Sequence, residues 1–291
     1  MDPVKKSLVT LHLAVVLLGG TGLFSKIIPL NAIDITLGRS LFACLALCLF
    51  VRAGREHLRL ERRLDYFIAV GLGMLMAAHW ATYFASMQYA GVSVGMIAMF
   101  TFPVITVLLE PLFEKTRLAW QDMLSALVVV IGIVLIVPEI SLDNDVTLGV
   151  GLGVISAVLY AVRNLSLRKY FSHYSGARSM AWQTLIIVLC LLPFSDLTST
   201  QQDTSVWLLL LALGTAFTAL PHALVANSLA HLRAKTFSLI ACMQPFYGVI
   251  FAIILLNESP GWQTLLGGIL VTSASIYETV NTHKSASATN E

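Results

Sequence analysis

Long apolar stretches follow one another along almost the whole chain, and they decide what it can fold into. The hydrocarbon core of a bilayer is about 30 Å thick, so a helix needs about 20 residues to cross it. Windows of that size recur at regular intervals through the 291 residues. We therefore predict ten membrane-spanning helices. Their approximate bounds are Leu8 to Ser25, Ile33 to Val51, Tyr66 to Tyr89, Val92 to Phe113, Leu118 to Val137, Leu148 to Leu167, Ala177 to Phe194, Val206 to Ala226, Thr236 to Asn257 and Trp262 to Val280.

The composition supports this interpretation. Hydrophobic residues make up 57% of the chain and charged residues only 12%, whereas about 25% of an ordinary soluble domain is charged. Ten helices use roughly 200 residues, so little chain remains for a soluble domain. The chain has no dense basic patch of the kind that binds phosphate backbones, and nucleic acid is not an expected partner. We predict an all-α integral membrane protein surrounded by a lipid bilayer.

Lysine and arginine are distributed unevenly over the predicted loops. Basic loops stay on the cytoplasmic side of a membrane. With both termini on that side, the cytoplasmic segments collect 15 of the 18 basic residues. The opposite side collects acidic residues such as Asp143, Asp196 and Glu258. Both termini are therefore predicted to be cytoplasmic.

The chain also repeats itself at an offset of 142 residues. Pro103 aligns with Pro245, and Trp120 with Trp262, so the spacing from proline to tryptophan is the same in both copies. Because five is an odd number of helices, the second copy must enter the membrane from the opposite side. This predicts two inverted five-helix repeats, 1–140 and 146–282, followed by a short polar tail, 283–291. Inverted repeats are typical of secondary transporters, whose halves exchange conformations to face either side in turn.

Several motifs together resemble the drug/metabolite transporter superfamily, and within it the EamA-type ten-helix transporters. They are the glycine-rich end of the first helix (19–26), Arg39 early in the second, and the segments 90–120 and 232–262, each with a mid-helix proline. The resemblance covers nearly the whole chain. It implies a central cavity formed by helices 1 to 4 and 6 to 9, helices 5 and 10 at the periphery, and a bacterial inner (plasma) membrane.

The two segments also carry an acid in the loop after the proline helix, Glu114 and Glu258. In the register of the repeat Glu258 aligns with Thr116 rather than with Glu114. A shared functional role for the two acids is therefore not expected.

Arg39 is the first candidate for a substrate contact. It lies about six residues inside the second predicted span, roughly 9 Å deep. Placing a charge at the membrane centre costs about 2.5–3.5 kcal/mol. Arg39 either binds a substrate carboxylate or forms a structural ion pair, and the sequence leaves both open. Lys26 and Arg163 lie nearer helix ends and are expected at the interface, with Arg163 facing the cavity opposite Lys26 as the alternative.

Other polar and aromatic residues inside the spans are further cavity candidates. A histidine titrates near pH 6.5, so a histidine in a span is a candidate carrier for a coupling proton; a neutral histidine bonded to a neighbouring helix is the alternative. Aromatic rings are commonly packing or interface anchors instead, and buried amides face the bundle interior. Beside Arg39, the candidates are His79, Trp80, Tyr83, Gln88, Tyr160, Asn164, Trp182, His222, Asn227 and Gln244.

Pro103 and Pro245 are the candidates for gating. Each removes one backbone donor near mid-membrane, which is tolerated where neighbouring groups or a hydrated cavity satisfy the freed carbonyl. We expect both helices to bend there. A static packing kink is the alternative.

No catalytic residue, metal site or cofactor is predicted. Cys44 and Cys48 lie one helical turn apart but have no further ligands beside them. The pattern Gly91-Val92-Ser93-Val94-Gly95 lacks the strand-turn-helix context of a hydrolase. The glycines of 149–153 open a membrane helix and predict close helix packing.

The sequence therefore predicts a secondary transporter that exports small metabolites, such as amino acids or related compounds, by alternating access. Import of a small metabolite is the alternative within transport. An intramembrane hydrolase using Ser93 with His79, or a non-transporting scaffold, is the alternative of another class. The coupling ion and a homodimeric state are left open.

Overall fold

The computed structural model describes residues 3–113, 118–137, 141, 143–197, 202–229 and 240–288, and these ranges contain helices and no β-strand. The helices are α1 (Pro3–Gly20), α2 (Phe24–Ile27), α3 (Ala32–Ala53), α4 (Arg63–Ala90), α5 (Val92–Met99), α6 (Phe102–Phe113), α7 (Trp120–Ile136), α8 (Asp145–Tyr170), α9 (Gly176–Leu191), α10 (Thr204–Gly214), α11 (Leu220–Leu229), α12 (Gln244–Leu256) and α13 (Trp262–Ala288). A π-helical turn, Thr215–Ala219, joins α10 to α11.

Seven helical segments are long and apolar enough to cross a membrane. They are Lys6–Ile27, Ala32–Ala53, Arg63–Ala90, Val92–Phe113, Asp145–Tyr170, Gly176–Phe194 and Thr204–Val225. Two further apolar helices, α7 and α12, are shorter. The prediction of an all-α membrane protein is confirmed, and the total of ten spans stays a prediction.

The outer surface of the bundle is apolar, as lipid contact requires. Large hydrophobic side chains of α7 point outward, and so do those of α13. Trp120 and Trp262, the aligned tryptophans of the repeat, are 70% and 66% exposed. Tryptophan at the first residue of a membrane helix, as in α7 and α13, is typical of the membrane interface. Such a surface would be a large apolar patch in water.

Glycines let the central helices approach closely. A Cβ atom added to Gly149 of α8 would lie 2.5 Å from the Cβ of Ala90, and one added to Gly153 would lie 2.6 Å from the Cβ of Ala98. Gly151, between them, has no heavy atom within 4 Å of such a Cβ. The glycine run therefore packs one face of α8 against α4 and α5, as the sequence predicts.

The loop after α8 docks on the start of α4. The hydroxyl of Tyr174 donates to Oδ2 of Asp65 (2.6 Å) and accepts a hydrogen bond from the amide of Glu61 (2.7 Å). Burial and the bond to Asp65 raise the pKa of Tyr174. The phenol therefore stays protonated and keeps donating across the physiological pH range.

Candidate functional site

A cavity of about 300 Å³ lies where the central helices meet. The described part of the chain lines it from α1, α3, α4, α5, α6, α8, α11 and α12, with no contribution from α7 or α13. Most of the predicted candidates lie together on its wall: Arg39, His79, Trp80, Tyr83, Pro103, Tyr160, Asn164, His222 and Gln244. A volume of this size suits a small metabolite.

Arg39 is the permanently charged residue among those described on this wall, and its side chain is buried, with 3% exposed. Its Nη2 donates to the hydroxyl of Thr218 (2.8 Å), in the π-helical turn before α11. Its guanidinium carbon lies 4.1 Å from the ring centroid of Trp80 and 5.1 Å from that of Phe84. Among the described residues, its Nε has no hydrogen-bond partner and no carboxylate pairs with it.

The π-helical turn supplies the contact to Arg39. Its Thr218 hydroxyl donates to the carbonyl of Leu213 (2.7 Å), which fixes the oxygen that accepts from Arg39. Turns of this kind inside α-helices occur frequently at functional sites. Thr218 was not among the predicted candidates, because a threonine in an apolar run carries no signal of its own.

His79 is bonded to a neighbouring helix. Its Nδ1 lies 2.7 Å from the hydroxyl of Ser156 on α8 and 3.0 Å from the carbonyl of the same residue. The imidazole stacks on Tyr160, with 4.7 Å between centroids, and lies parallel to Tyr83 at 6.1 Å. These contacts hold an aromatic wall on one side of the cavity. His222 lies on the same cavity wall.

Arg163 is a second buried guanidinium beside the cavity, with 8% exposed. Its Nε donates to Oε1 of Gln183 (2.7 Å), and its Nη1 donates to Oδ1 of Asn164 (2.8 Å), whose side chain lines the cavity. The expectation of an interfacial Arg163 is therefore wrong. Helix α9 covers the guanidinium, and the amide of Gln183 takes the place that water would have at the interface. Lys26 is exposed, and its Nζ donates to the carbonyl of Gln88 (2.8 Å).

Three candidates do not join the described wall of the cavity. Gln88 donates from Nε2 to the carbonyl of Leu30 (2.8 Å), so it joins the end of α4 to the loop before α3. Trp182 donates from Nε1 to the carbonyl of Leu58 (2.8 Å), at the opposite end of α3. Their backbone partners lie in the loops before and after α3, so both side chains bond outside the cavity wall. The side chain of Asn227 lies outside the described residues.

Both prolines follow a break in their helix. Pro103 is the second residue of α6, two residues beyond the interruption at Phe100 and Thr101, and Pro245 is the second residue of α12, beyond a turn at Cys242 and Met243. Residues from both interruptions line the cavity. The expected bends are therefore complete breaks, since proline cannot donate to the preceding turn.

The backbone freed at the first break is satisfied by another helix. The hydroxyl of Ser275 on α13 donates to the carbonyl of Phe100 (2.9 Å) and to that of Val271 (2.8 Å). A buried carbonyl without such a partner would be costly in a membrane. The carbonyl exposed by the break is therefore hydrogen-bonded within the protein.

A second polar cluster, which we call the Glu258 clasp, lies at the start of α5. Oε1 of Glu258 accepts from the amide of Val92 (2.7 Å), and Oε2 accepts from the amide (3.1 Å) and the hydroxyl (2.8 Å) of Ser93. A carboxylate is favourable at a helix N-terminus, where backbone amides are unpaired. The clasp joins the loop before α13 to the start of α5. From the sequence, no role shared by Glu114 and Glu258 was expected, because the repeat does not align the two acids, and nothing in it indicated this contact of Glu258.

A helical bundle with an apolar outer surface and a small cavity at its centre belongs to the class of integral membrane proteins. The sequence model of the EamA-like transporter family matches residues 5–137 and residues 147–277. The chain belongs to this family, as its resemblance predicts, and it is a transporter of the EamA kind.

One relative agrees with this assignment, and one solved structure shares the fold. A protein of Bacillus subtilis (strain 168) described as "Uncharacterized transporter YxxF" is 23% identical over 297 residues, covering 98% of this chain and 93% of that protein. A solved structure described as "Crystal structure of protein" is similar with a TM-score of 0.67 at 14% identity, covering 96% of this chain and 98% of the other. At that identity the likeness shows the fold alone.

Proposed function

We propose that this chain is a secondary transporter of a bacterial inner membrane that exports small metabolites, such as amino acids or related compounds, by alternating access. The observation that carries the proposal is the cavity itself. It has the volume of a small metabolite, holds the buried Arg39, and is lined by residues from the interruptions before Pro103 and Pro245. Breaks of this kind give a helix two segments that can move separately.

We propose further that the two halves are inverted five-helix repeats within ten spans, with both termini cytoplasmic. Two separate matches to one family model support this. So do the helix contacts, which exchange under the repeat. Helix α4 packs against α8, as α11 packs against α1. Helix α3 packs against α10, as α9 packs against α4, and α7 packs against α13.

The contacts of Ser93 favour transport over the hydrolase alternative. The Ser93 hydroxyl donates to Glu258, while His79 is bonded to Ser156. A hydrolytic dyad needs the nucleophile within hydrogen-bond reach of its base. Replacing Ser93 with Ala abolishes function if the chain is a hydrolase and leaves most of it if the chain is a transporter.

The decisive test is metabolite profiling of the medium of cells that overexpress the chain, compared with cells that express Arg39→Ala. We expect a discrete set of compounds to be enriched with the unaltered protein and lost with Arg39→Ala. Lys26→Ala is the matched control, because Lys26 is a cation on the exposed surface. Depletion of compounds from the medium would indicate import. No difference between cells with and without the protein would favour a scaffold, and enrichment that survives Arg39→Ala would remove the cavity role of Arg39.

A proton is the coupling ion we propose, carried at His79 or His222. In proteoliposomes with an imposed pH gradient, the double variant His79→Ala, His222→Ala should lose the dependence of its flux on that gradient. Flux that still follows the gradient would contradict the proposal.

A further inference from the structure

Among the described residues, the permanent charges at the cavity and next to it are all positive. Arg39 is the permanently charged residue of the described wall, which contains neither aspartate nor glutamate. Arg163 adds a second buried guanidinium one contact away, through Asn164. Its described partners are neutral side chains, and no carboxylate pairs with it among the described residues. Protonation of His79 or His222 would only add positive charge.

This arrangement is costly as it stands. A guanidinium buried without a counterion loses its hydration and gains no ion pair in return. The contacts of Arg39 are a neutral hydroxyl and two aromatic faces, and its Nε has no partner among the described residues. A carboxylate entering the cavity would supply the missing charge and accept the free N–H.

The same wall offers no counterion to a positively charged amine. An ammonium group is held most strongly by a carboxylate or by a free aromatic face. The described wall has no carboxylate, and the Trp80 ring already lies against Arg39. The rings of Tyr83 and Tyr160 lie against His79. The remaining wall is largely apolar, with Met76, Met99 and Phe102 among its residues. An ammonium would sit near two guanidinium groups in a medium that screens poorly.

Building on the proposed transport function, we propose that the substrates are small organic anions that carry a carboxylate and an apolar tail but no free ammonium group. 2-Oxo acids and N-acylated amino acids have this chemistry. Zwitterionic amino acids with the same side chain do not. The transporter therefore distinguishes an amino acid from its deaminated or acylated derivative by the presence of the charged ammonium group.

The test uses three probes with one side chain: leucine, 4-methyl-2-oxopentanoate and N-acetylleucine. Each is loaded into proteoliposomes containing the full chain, and its efflux is compared with that from protein-free vesicles. We expect the two anions to leave about tenfold faster than leucine or more, because like charges in a poorly screened site are costly. Arg39→Gln should abolish the efflux of both anions, and Arg39→Lys should retain part of it.

A carboxylate added to the cavity gives an independent test. Gln244 lines the cavity as the first residue of α12, where a helix N-terminus favours a negative charge. We expect Gln244→Glu to shift selectivity toward leucine by about tenfold, the effect of one charge interaction. Gln121→Glu is the matched control, since it makes the same change at the start of α7, outside the cavity wall.

The outcomes separate this inference from the proposed function. Leucine efflux equal to or faster than that of the anions would overturn the inference and leave metabolite transport standing. Unchanged selectivity in Gln244→Glu would overturn the charge argument. If folded, inserted protein moved none of the three probes, both the inference and the proposed transport of amino-acid-like compounds would fail.

Discussion

At the scale of single residues, the hydroxyl of Thr218 decides how Arg39 faces the cavity. It accepts from Nη2 of Arg39 and donates to the carbonyl of Leu213, so it is a fixed acceptor for a side chain with several rotatable bonds. A hydrogen bond to a charged group contributes about 1.5–3 kcal/mol. Thr218 is therefore a positioning residue that acts through Arg39.

We expect Thr218→Val to raise the KM for transport by about tenfold while changing the maximal rate less, because a misplaced guanidinium weakens substrate binding first. Initial rates of uptake or efflux over a range of substrate concentrations measure both constants. Thr215→Val is the control in the same turn, since the described bond of its hydroxyl is to the carbonyl of Leu211. Equal effects of the two variants would show that the turn, and not the contact to Arg39, matters.

The sequence predicted functional residues where their depth within a predicted span was enough to single them out. A charge at Arg39 or a proline at Pro103 is unusual inside a span whatever surrounds it, and both were singled out for that reason. Trp182 and Gln88 were also candidates by position, yet their side chains bond to the backbone carbonyls of Leu58 and Leu30. The sequence does not show which loop carbonyls lie within reach of a side chain.

At the scale of helices, the Glu258 clasp joins the start of α5 to the loop before α13. In the orientation we propose, it lies on the outer face. Cys242 lines the cavity and reports access to it. We expect the clasp to hold the outer face closed. In a chain without Cys44, Cys48 and Cys190, Glu258→Gln should therefore increase the labelling rate of Cys242 by an impermeant maleimide about tenfold, because the charge-assisted hydrogen bonds of the clasp are lost.

The control for the clasp is Asp143→Asn, which removes an exposed acid on the same proposed face. It should leave the labelling rate of Cys242 unchanged. Equal or slower labelling in Glu258→Gln would mean that the clasp does not hold the outer face closed.

Helix contacts give a second prediction at this scale. Gly149→Leu and Gly153→Leu should each lower the melting temperature of the detergent-purified protein and its yield in the membrane, because their side chains would overlap with α4 and α5. Gly151→Leu should change neither, since that position has open space. The same loss in all three variants would indicate an effect of helix propensity and not of packing.

At the scale of the whole molecule, the charge distribution and the repeat predict one orientation. In a chain without its native cysteines, Arg59→Cys and Asp143→Cys place single thiols in exposed positions at opposite ends of the bundle. We expect an impermeant maleimide to label Asp143→Cys in intact cells and to label Arg59→Cys only after permeabilisation. The reverse pattern would invert the proposed topology, and labelling of both in intact cells would contradict the span count.

The amino-acid sequence alone was enough to predict a helical membrane transporter, and it also predicts two related halves. Hydropathy, helix length, basic loops and the aligned prolines are properties of local segments, and each can be read without knowing what packs beside it. Which helix faces converge depends on how the helices pack, and this became visible in the three-dimensional structure. Arg39, His79, Tyr160 and Asn164 come from three helices and meet in one cavity because glycine contacts and the π-helical turn fix how those helices rotate against each other. In a span that is apolar on all sides, no pattern in the sequence specifies that rotation.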